Sequence, residues 1–236
     1  MISIIIPTYN EAKYLPLLLQ SIKSQSFKDY EIIVADNNST DSTVEIAKTY
    51  GAQITSGGLP GAGRNAGAKI AKGDLLLFLD ADVILKNKYY LTDCYAEFLD
   101  RDVDVATCCI SPMSLLKKDI IWHEFYNAII IAMEKFSPYA PGFCIFAKKS
   151  VHNLISGFDE DIILGEDSDY VKRANKISSF KVLRSQKIPV SVRRLDKDGR
   201  LNVIIKYGLA GLYMIVVGNI KSDIFNYTFG NYDKKD

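Results

Sequence analysis

The chain is poor in the residues that build metal and redox centres, with two histidines, one tryptophan and four cysteines among 236 residues. Cys94, Cys108, Cys109 and Cys144 show no C-x-x-C spacing, and His123 and His152 do not complete a zinc site with them. A zinc site is therefore not indicated, and buried reduced thiols are expected. An excess of one charge is also lacking: 29 Lys and Arg face 28 Asp and Glu, intermixed, so no electrostatic footprint marks a nucleic-acid partner. The opening Met1-Ile2-Ser3-Ile4-Ile5-Ile6-Pro7 has no basic leader, and its apolar run falls short of the ~7–15 residues of a signal-peptide core. Synthesis and residence in the cytoplasm are expected. No repeat, low-complexity tract or linker divides the chain, and its length and 48% hydrophobic content suffice for one sizeable core.

What is present alternates. Ile2 to Ile6 suits a buried strand, and Leu15, Leu18, Leu19 and Ile22 then recur at helical spacing. Tyr30 to Ala35 reads as a second buried strand, followed by a helix through Val44 and Ala47 with a capping-box signal at Ser42 and Glu45. After a brief strand near Gln53 comes a glycine-rich loop, 57–63, a helix over 64–71, and a strand over 74–79 that ends in Asp80-Ala81-Asp82. This winding predicts an α/β fold with a mostly parallel sheet flanked by helices. Farther on, helices are expected over 116–136 and 167–176, with a strand over 143–147 between them. In open parallel sheets ligands sit outside the carboxyl ends of the strands, where Thr8 to Glu11, Asp36 to Asp41 and Asp80 to Asp82 would converge.

Two acidic clusters carry the chemistry. Asp80 and Asp82 follow a buried strand and offer hard oxygen ligands suited to Mg2+ or Mn2+ completed by substrate phosphates. Alone, such a pair is more often a solvated turn or a helix cap. Gly165-Glu166-Asp167-Ser168-Asp169 starts a helix, and Asp167 is the candidate general base; taken alone, this pentapeptide also reads as a plain helix start.

The pieces occur together and in order, and the chain resembles a family 2 glycosyltransferase of the GT-A fold. The segment from Ile4 to Glu11 resembles that family's opening strand and turn. Asp36-Asn37-Asn38-Ser39-Thr40-Asp41 resembles its D-D-x-S-x-D segment, and Gly63-Arg64-Asn65-Ala66-Gly67 its A-R-N-x-G loop. Asp80-Ala81-Asp82 resembles its D-x-D, Ser156-Gly157-Phe158-Asp159-Glu160 its G-G-F-D-E, and Glu166-Asp167-Ser168-Asp169 its E-D-x-D. The resemblance spans roughly residues 1–185.

It implies a metal-dependent, inverting transfer of one sugar from a nucleotide sugar, a UDP-sugar first and a GDP-sugar next, to a glycan or lipid-linked hydroxyl acceptor. Pro7, Thr8, Tyr9, Glu11, Asp36 and Asn38 would hold the nucleoside, and Arg64 would contact base or phosphate. Asp80, Ala81 and Asp82 would line the donor, with Asp82 the principal ligand of Mn2+ or Mg2+. Asp167 would deprotonate the acceptor, with Glu166, Asp169 and Trp122 on the acceptor side. Asn37 stands where a second Asp is common and Ser156 where Gly is usual. No histidine follows Asp169 to serve as a further metal ligand, and the Q-x-x-R-W motif of processive synthases is missing, which favours a single transfer over polymerisation.

Competing readings remain. Gly61-Ala62-Gly63-Arg64-Asn65-Ala66 fits a dinucleotide-binding fingerprint but does not follow the first strand, and a P-loop is absent. A sugar-phosphate nucleotidyltransferase would need a glycine-rich first turn, which Pro7 to Glu11 is not. A catalytically silent nucleotide-sugar or glycan-binding protein stays open. His123 and His152 read as surface or boundary histidines. Ile121, Phe125, Ala128, Ile129, Ala132, Met133 and Phe136 read as a core stripe, with Trp122, Tyr126 and Ile130 as a second apolar line.

The chain is expected to divide into a GT-A domain over 1–192 and a basic, apolar helical segment over 193–236. The uncharged run over 207–220 is shorter than the ~20 residues that span a bilayer. Arg193, Arg194, Lys197, Arg200 and Lys206 suggest instead a helix on the cytoplasmic membrane surface, drawn by anionic lipid, with packing on the domain or a dimer contact as the alternative.

Overall fold

A computed structural model describes residues 1–216 and 219–221. The elements run β1 (Ile2–Thr8), α1 (Leu15–Lys23), β2 (Tyr30–Asp36), α2 (Thr43–Thr49), β3 (Gln53–Ser56), α3 (Pro60–Ile70), β4 (Leu75–Leu79) and α4 (Tyr90–Asp100). They continue with β5 (Val105–Pro112), α5 (Lys117–Met133), β6 (Cys144–Lys148), α6 (Lys149–Leu154), α7 (Glu166–Asn175), β7 (Phe180–Val190), α8 (Arg193–Asp198) and α9 (Arg200–Val216).

The strands form one sheet in the order β3-β2-β1-β4-β6-β5-β7. β1, β2, β3 and β4 are parallel, β6 is antiparallel to both its neighbours, and β7 runs parallel to β5. Strand residues alternate between two cores. Ile2, Ile4, Ile6, Leu75, Leu77 and Leu79 join Leu15, Leu18, Leu19 and Ile22 of α1 on one face. Ile5, Leu76 and Phe78 join Ala68 of α3 and Tyr170, Val171 and Ala174 of α7 on the other. Burial on both faces explains why β1 and β4 are continuous apolar runs rather than alternating ones. The four cysteines are buried and free.

Four local expectations are corrected. The helix expected over 64–71 starts earlier, so α3 takes in the end of the glycine-rich stretch, because Pro60 suits the first helical turn. Ser42 makes no side-chain cap; Asp41 Oδ1 instead accepts the Thr43 N–H at 3.0 Å while Oδ2 accepts that of Ala12 at 3.1 Å, tying α2 to the turn after β1.

The stripe on α5 is inverted. Ile121, Phe125 and Phe136 are 68%, 55% and 90% exposed, whereas Asp119, His123 and Asn127 are buried beside Ile130. β6 pairs only with Val105 to Thr107 of β5. Beyond that, the Asn127 carboxamide meets Ile110, accepting its N–H and donating to its carbonyl, each at 2.8 Å. The inner face of α5 is polar because it completes a strand edge.

Both histidines are buried, not on the surface. His123 Nδ1 lies 2.7 Å from the Asp119 carbonyl, and His152 Nδ1 lies 3.1 Å from the Tyr170 hydroxyl, where burial pulls its pKa down to about 4.

Candidate active site

The carboxyl ends of β1, β2 and β4 meet as the alternation predicts, and the first two loops interlock. Asp36 accepts from Thr8 Oγ1 at 3.0 Å, from the Ser39 N–H at 2.9 Å and from Ser39 Oγ at 2.6 Å. Asn10 accepts the Thr40 N–H at 2.8 Å, and the Glu11 N–H donates to Thr43 Oγ1 at 2.8 Å. Asn10 and Asn38 have φ of 53° and 54°, a left-handed conformation that asparagine tolerates better than most residues. Pro7 is buried at the end of β1, Tyr9 is half-buried, and Asn38 is exposed.

Two arginines organise the carboxylates. Arg64 on α3, 2% exposed, donates from Nη1 to Glu166 Oε1 at 2.7 Å and from Nη2 to Asp80 Oδ1 at 2.9 Å. Its guanidinium carbon lies 5.3 Å from the centre of the Phe158 ring. Arg193, at the start of α8, donates to Glu11 Oε1 at 2.6 Å and Oε2 at 2.9 Å, and its Nε lies 3.1 Å from Asp82 Oδ2. Ala81 is buried in the core between the two aspartates. Asn65, next to Arg64, binds both the N–H and the carbonyl of Phe158 at 2.8 and 2.9 Å. Adjacent side chains of one motif thus hold two distant ones.

Asp167 opens α7 beside this network. Oδ1 accepts the Ser168 N–H at 2.7 Å. Desolvation first, then the Glu166 charge, push its pKa up to about 7 against the lowering pull of Arg64. A Cβ on Gly142 would stand 2.6 Å from Arg64 Nη2 and 3.4 Å from Asp167 Oδ2, so glycine is what leaves the pair room. Tyr126 and Tyr139, with ring centres 6.3 Å apart, feel the Asp167 charge, and burial holds both hydroxyls protonated.

The other acceptor-side residues lie elsewhere. Asp169 has its oxygens on Arg173 Nε at 2.6 Å and Asn219 Nδ2 at 3.0 Å. Trp122 packs against Phe125 on the exposed face of α5.

Glu11, Asp80, Asp82, Glu166 and Asp167 thus set five carboxylates against two guanidinium groups. Burial raises the pKa of both Glu11 and Asp82, with the Asp80 charge adding to it. A surplus of hard, negatively charged oxygen fits a divalent cation, and Asp80 and Asp82 are the pair that could hold it. Among the described residues no three Asp, Glu, His or Cys side chains converge as a complete metal cage, so further ligands would be phosphate oxygens and water.

Sequence reasoning did not bring Arg193, Tyr139 or Gly142 to the site, and had Tyr126 only in the second apolar line of the helix, as a face toward an apolar acceptor or the core. Of the two readings of the basic segment, lipid contact or packing on the domain, Arg193 and Arg200 follow the second: Arg193 turns inward to Glu11 and Arg200 grips Asp119 at 2.6 and 2.8 Å. Buried acids elsewhere in the chain drew them in, which a local count of basic residues does not reveal.

The family model described as glycosyl transferase family 2 matches residues 3–154. The poly(ribitol-phosphate) beta-N-acetylglucosaminyltransferase TarS of Staphylococcus aureus is 39% identical over 109 residues, 42% of this chain and 19% of that protein. The hyaluronan synthase of Pasteurella multocida is 29% identical over 246 residues, covering 100% of this chain and 24% of the synthase. The chain therefore spans about a fifth to a quarter of these relatives. Among solved structures, TarS 1–349 superposes with a TM-score of 0.65 at 23% identity, over 92% of this chain and 72% of that one. The mannosyltransferase PcManGT from Pyrobaculum calidifontis, in complex with GDP-Man and Mn2+, gives 0.70 at 20% identity, over 92% and 70%.

Proposed function

The chain belongs to glycosyl transferase family 2 and has the GT-A fold, and from that premise we propose that it moves a single sugar, with inversion, from a nucleoside diphosphate sugar to a hydroxyl acceptor. The observation that carries this reading is Asp167, a desolvated carboxyl pushed up to about 7 beside a buried arginine. A general base works best when its pKa lies near the operating pH.

In this reading the interlocked turns of Pro7, Thr8, Tyr9, Glu11, Asp36 and Asn38 seat the nucleoside. Asp80 and Asp82 would hold Mg2+ or Mn2+, which when bound would supply positive charge to the departing diphosphate. Arg64 fixes Asp80 and Glu166 so that the donor and acceptor sides keep one geometry. Asp167 Oδ1 is held by Ser168, leaving Oδ2 to take the acceptor's proton as the acceptor oxygen attacks the anomeric carbon and the bond to the diphosphate breaks. Glu166, Tyr126 and Tyr139 lie close enough to Asp167 to feel its charge and are the groups we assign beside it, and we assign Asp169 to steadying α7 through Arg173.

A UDP-sugar is the preferred donor, because TarS has been solved in complex with UDP-GlcNAc. A GDP-sugar is second, after PcManGT. The GT-A domain is taken as 1–192, with 193–216 and 219–221 packed on it; 217–218 and 222–236 lie outside the described residues.

No helix among the described residues is long and apolar enough to cross a membrane. We place the protein in the cytoplasm, peripheral at a membrane, with the apolar outer face of α5, flanked by Lys117, Lys118 and Lys135, as the contact to anionic lipid. A lipid-linked or growing glycan is the acceptor that suits this position.

Thermal-shift screening of UDP- and GDP-sugars with Mn2+, followed by donor turnover for wild type and Asp167→Asn, tests the reading. Selective stabilisation and Asp167-dependent turnover are expected. Donor binding without turnover in wild type would leave a silent nucleotide-sugar-binding protein instead.

A further inference from the structure

Arg193 is a cation that the donor site already contains beside Asp82. It stands just beyond β7, and its root is fixed by backbone: the Ser191 N–H donates to the Asp82 carbonyl at 3.1 Å, the Ile84 N–H to the Pro189 carbonyl at 3.1 Å, and Val83 bridges Val190. From there the side chain, 11% exposed, crosses Tyr14 with its guanidinium carbon 4.5 Å from the ring centre. It ends with two N–H groups on Glu11 and Nε at 3.1 Å from Asp82 Oδ2. Glu11 and Asp82 come from the ends of β1 and β4, so one planar group joins two walls of the site.

The same Asp82 carboxylate is the one assigned to a divalent ion. Arg193 Nε lies on Asp82 Oδ2, so a dication on either oxygen of that carboxylate would stand within a few ångström of the guanidinium, where like charges repel strongly. Arg193 has a second anchor, the bidentate pair with Glu11, that does not involve Asp82. It can therefore give up Asp82 by a side-chain movement and remain held, with no change in the backbone ladder beneath it.

We propose that Arg193 is a positioning residue that keeps Asp82 occupied in the metal-free protein and yields it when a divalent cation enters with the donor. This rests on the reading of Asp80 and Asp82 as the metal pair. Its consequence is that metal alone binds weakly, because it enters against the charge of the guanidinium already on Asp82, whereas metal arriving with a diphosphate brings compensating negative charge.

The test is Mn2+ binding followed by electron paramagnetic resonance, with and without UDP, on the full chain. Arg193→Gln is expected to bind Mn2+ without nucleotide roughly tenfold more tightly than wild type, and to show less gain on adding UDP. Arg193→Lys, which keeps the charge but cannot form the planar bidentate pair, is expected in between. A purely structural role would weaken Mn2+ binding in Arg193→Gln along with thermal stability, so unchanged or weaker binding overturns the proposal. If Arg193→Gln does not fold, the same comparison is read on Arg193→Lys, and no increase there overturns it. Wild type that binds no Mn2+ even with UDP overturns the metal reading itself, a different outcome from a wild type that binds Mn2+–UDP but is insensitive to Arg193.

Discussion

Arg64 and Glu166 form a buried ion pair of 2.7 Å across 102 residues of sequence, and the other arm of the same guanidinium holds Asp80. Removing one partner of a buried charge network leaves the others uncompensated, which costs about 3–5 kcal/mol. Arg64→Met is therefore expected to lower unfolding free energy by about that amount in urea titrations, and to raise the apparent pKa of Asp167, which Arg64 holds down. Arg64→Lys keeps the charge but not the fork that reaches two acids at once, so it should recover only part of the loss. Full recovery by lysine would mean that geometry at this position is unimportant.

Asp167 sets the pH response. Its folded pKa, about 7, lies above the ordinary 3.8, so the folded state holds a proton that the unfolded chain has released between those values. That contribution to stability is complete below about pH 4 and is lost as pH rises through about 7. Activity runs the other way, because the base works only when deprotonated. The rate should rise with pH through an apparent pKa near 7 and then level off, and Asp167→Asn should lose roughly 10²–10⁴-fold in kcat while retaining UDP binding. A rate independent of pH between 5 and 8 would exclude this group as the base.

The sheet and its site were legible to different degrees. β1, β2 and β4 carry the apolar runs Ile4 to Ile6, Ile32 to Ala35 and Leu75 to Leu79 with polar residues just beyond them, so the core and the convergence of Thr8, Asp36 and Asp80 could be read directly. α5 could not: an exposed apolar stripe and a buried one are the same pattern in sequence, and the polar inner face is set by the strand edge at Ile110. Arg193 reads in sequence as a surface cation for a similar reason. Its partners, Glu11 and Asp82, lie far away in the chain, whereas its sequence neighbours Arg194 and Lys197 suggested a basic surface.

Ser156 marks a departure from the resembling family that the backbone makes intelligible. Its φ is 61° and that of Gly157 is 69°, so two successive residues adopt the left-handed conformation before Phe158 enters the core. A side chain there costs ~1–2 kcal/mol, partly offset by the flexibility a glycine adds to the unfolded chain. Ser156→Gly should raise stability by about 0.5–1 kcal/mol, a shift of ~1–4 °C in Tm for a chain of this size. A lower Tm would mean that the serine hydroxyl makes a compensating contact.

The outer face of α5 provides the sharpest test of how the protein meets its acceptor. Ile121, Phe125 and Phe136 are more than half exposed, with Trp122 and Ile129 beside them, an apolar surface that a protein gains nothing by showing to water. Because Ile121 and Phe125 on α5 and Phe136 just beyond its end are all more than half exposed, replacing them should leave folding stability within ~0.5 kcal/mol. The full chain is expected to float with vesicles containing anionic lipid, less with neutral ones, and the Ile121→Ser, Phe125→Ser, Phe136→Ser variant should remain in the dense fraction with both. Wild type that stays dense with every vesicle, while sedimenting as a dimer that the triple variant dissolves, would reassign this face to a second copy of the chain.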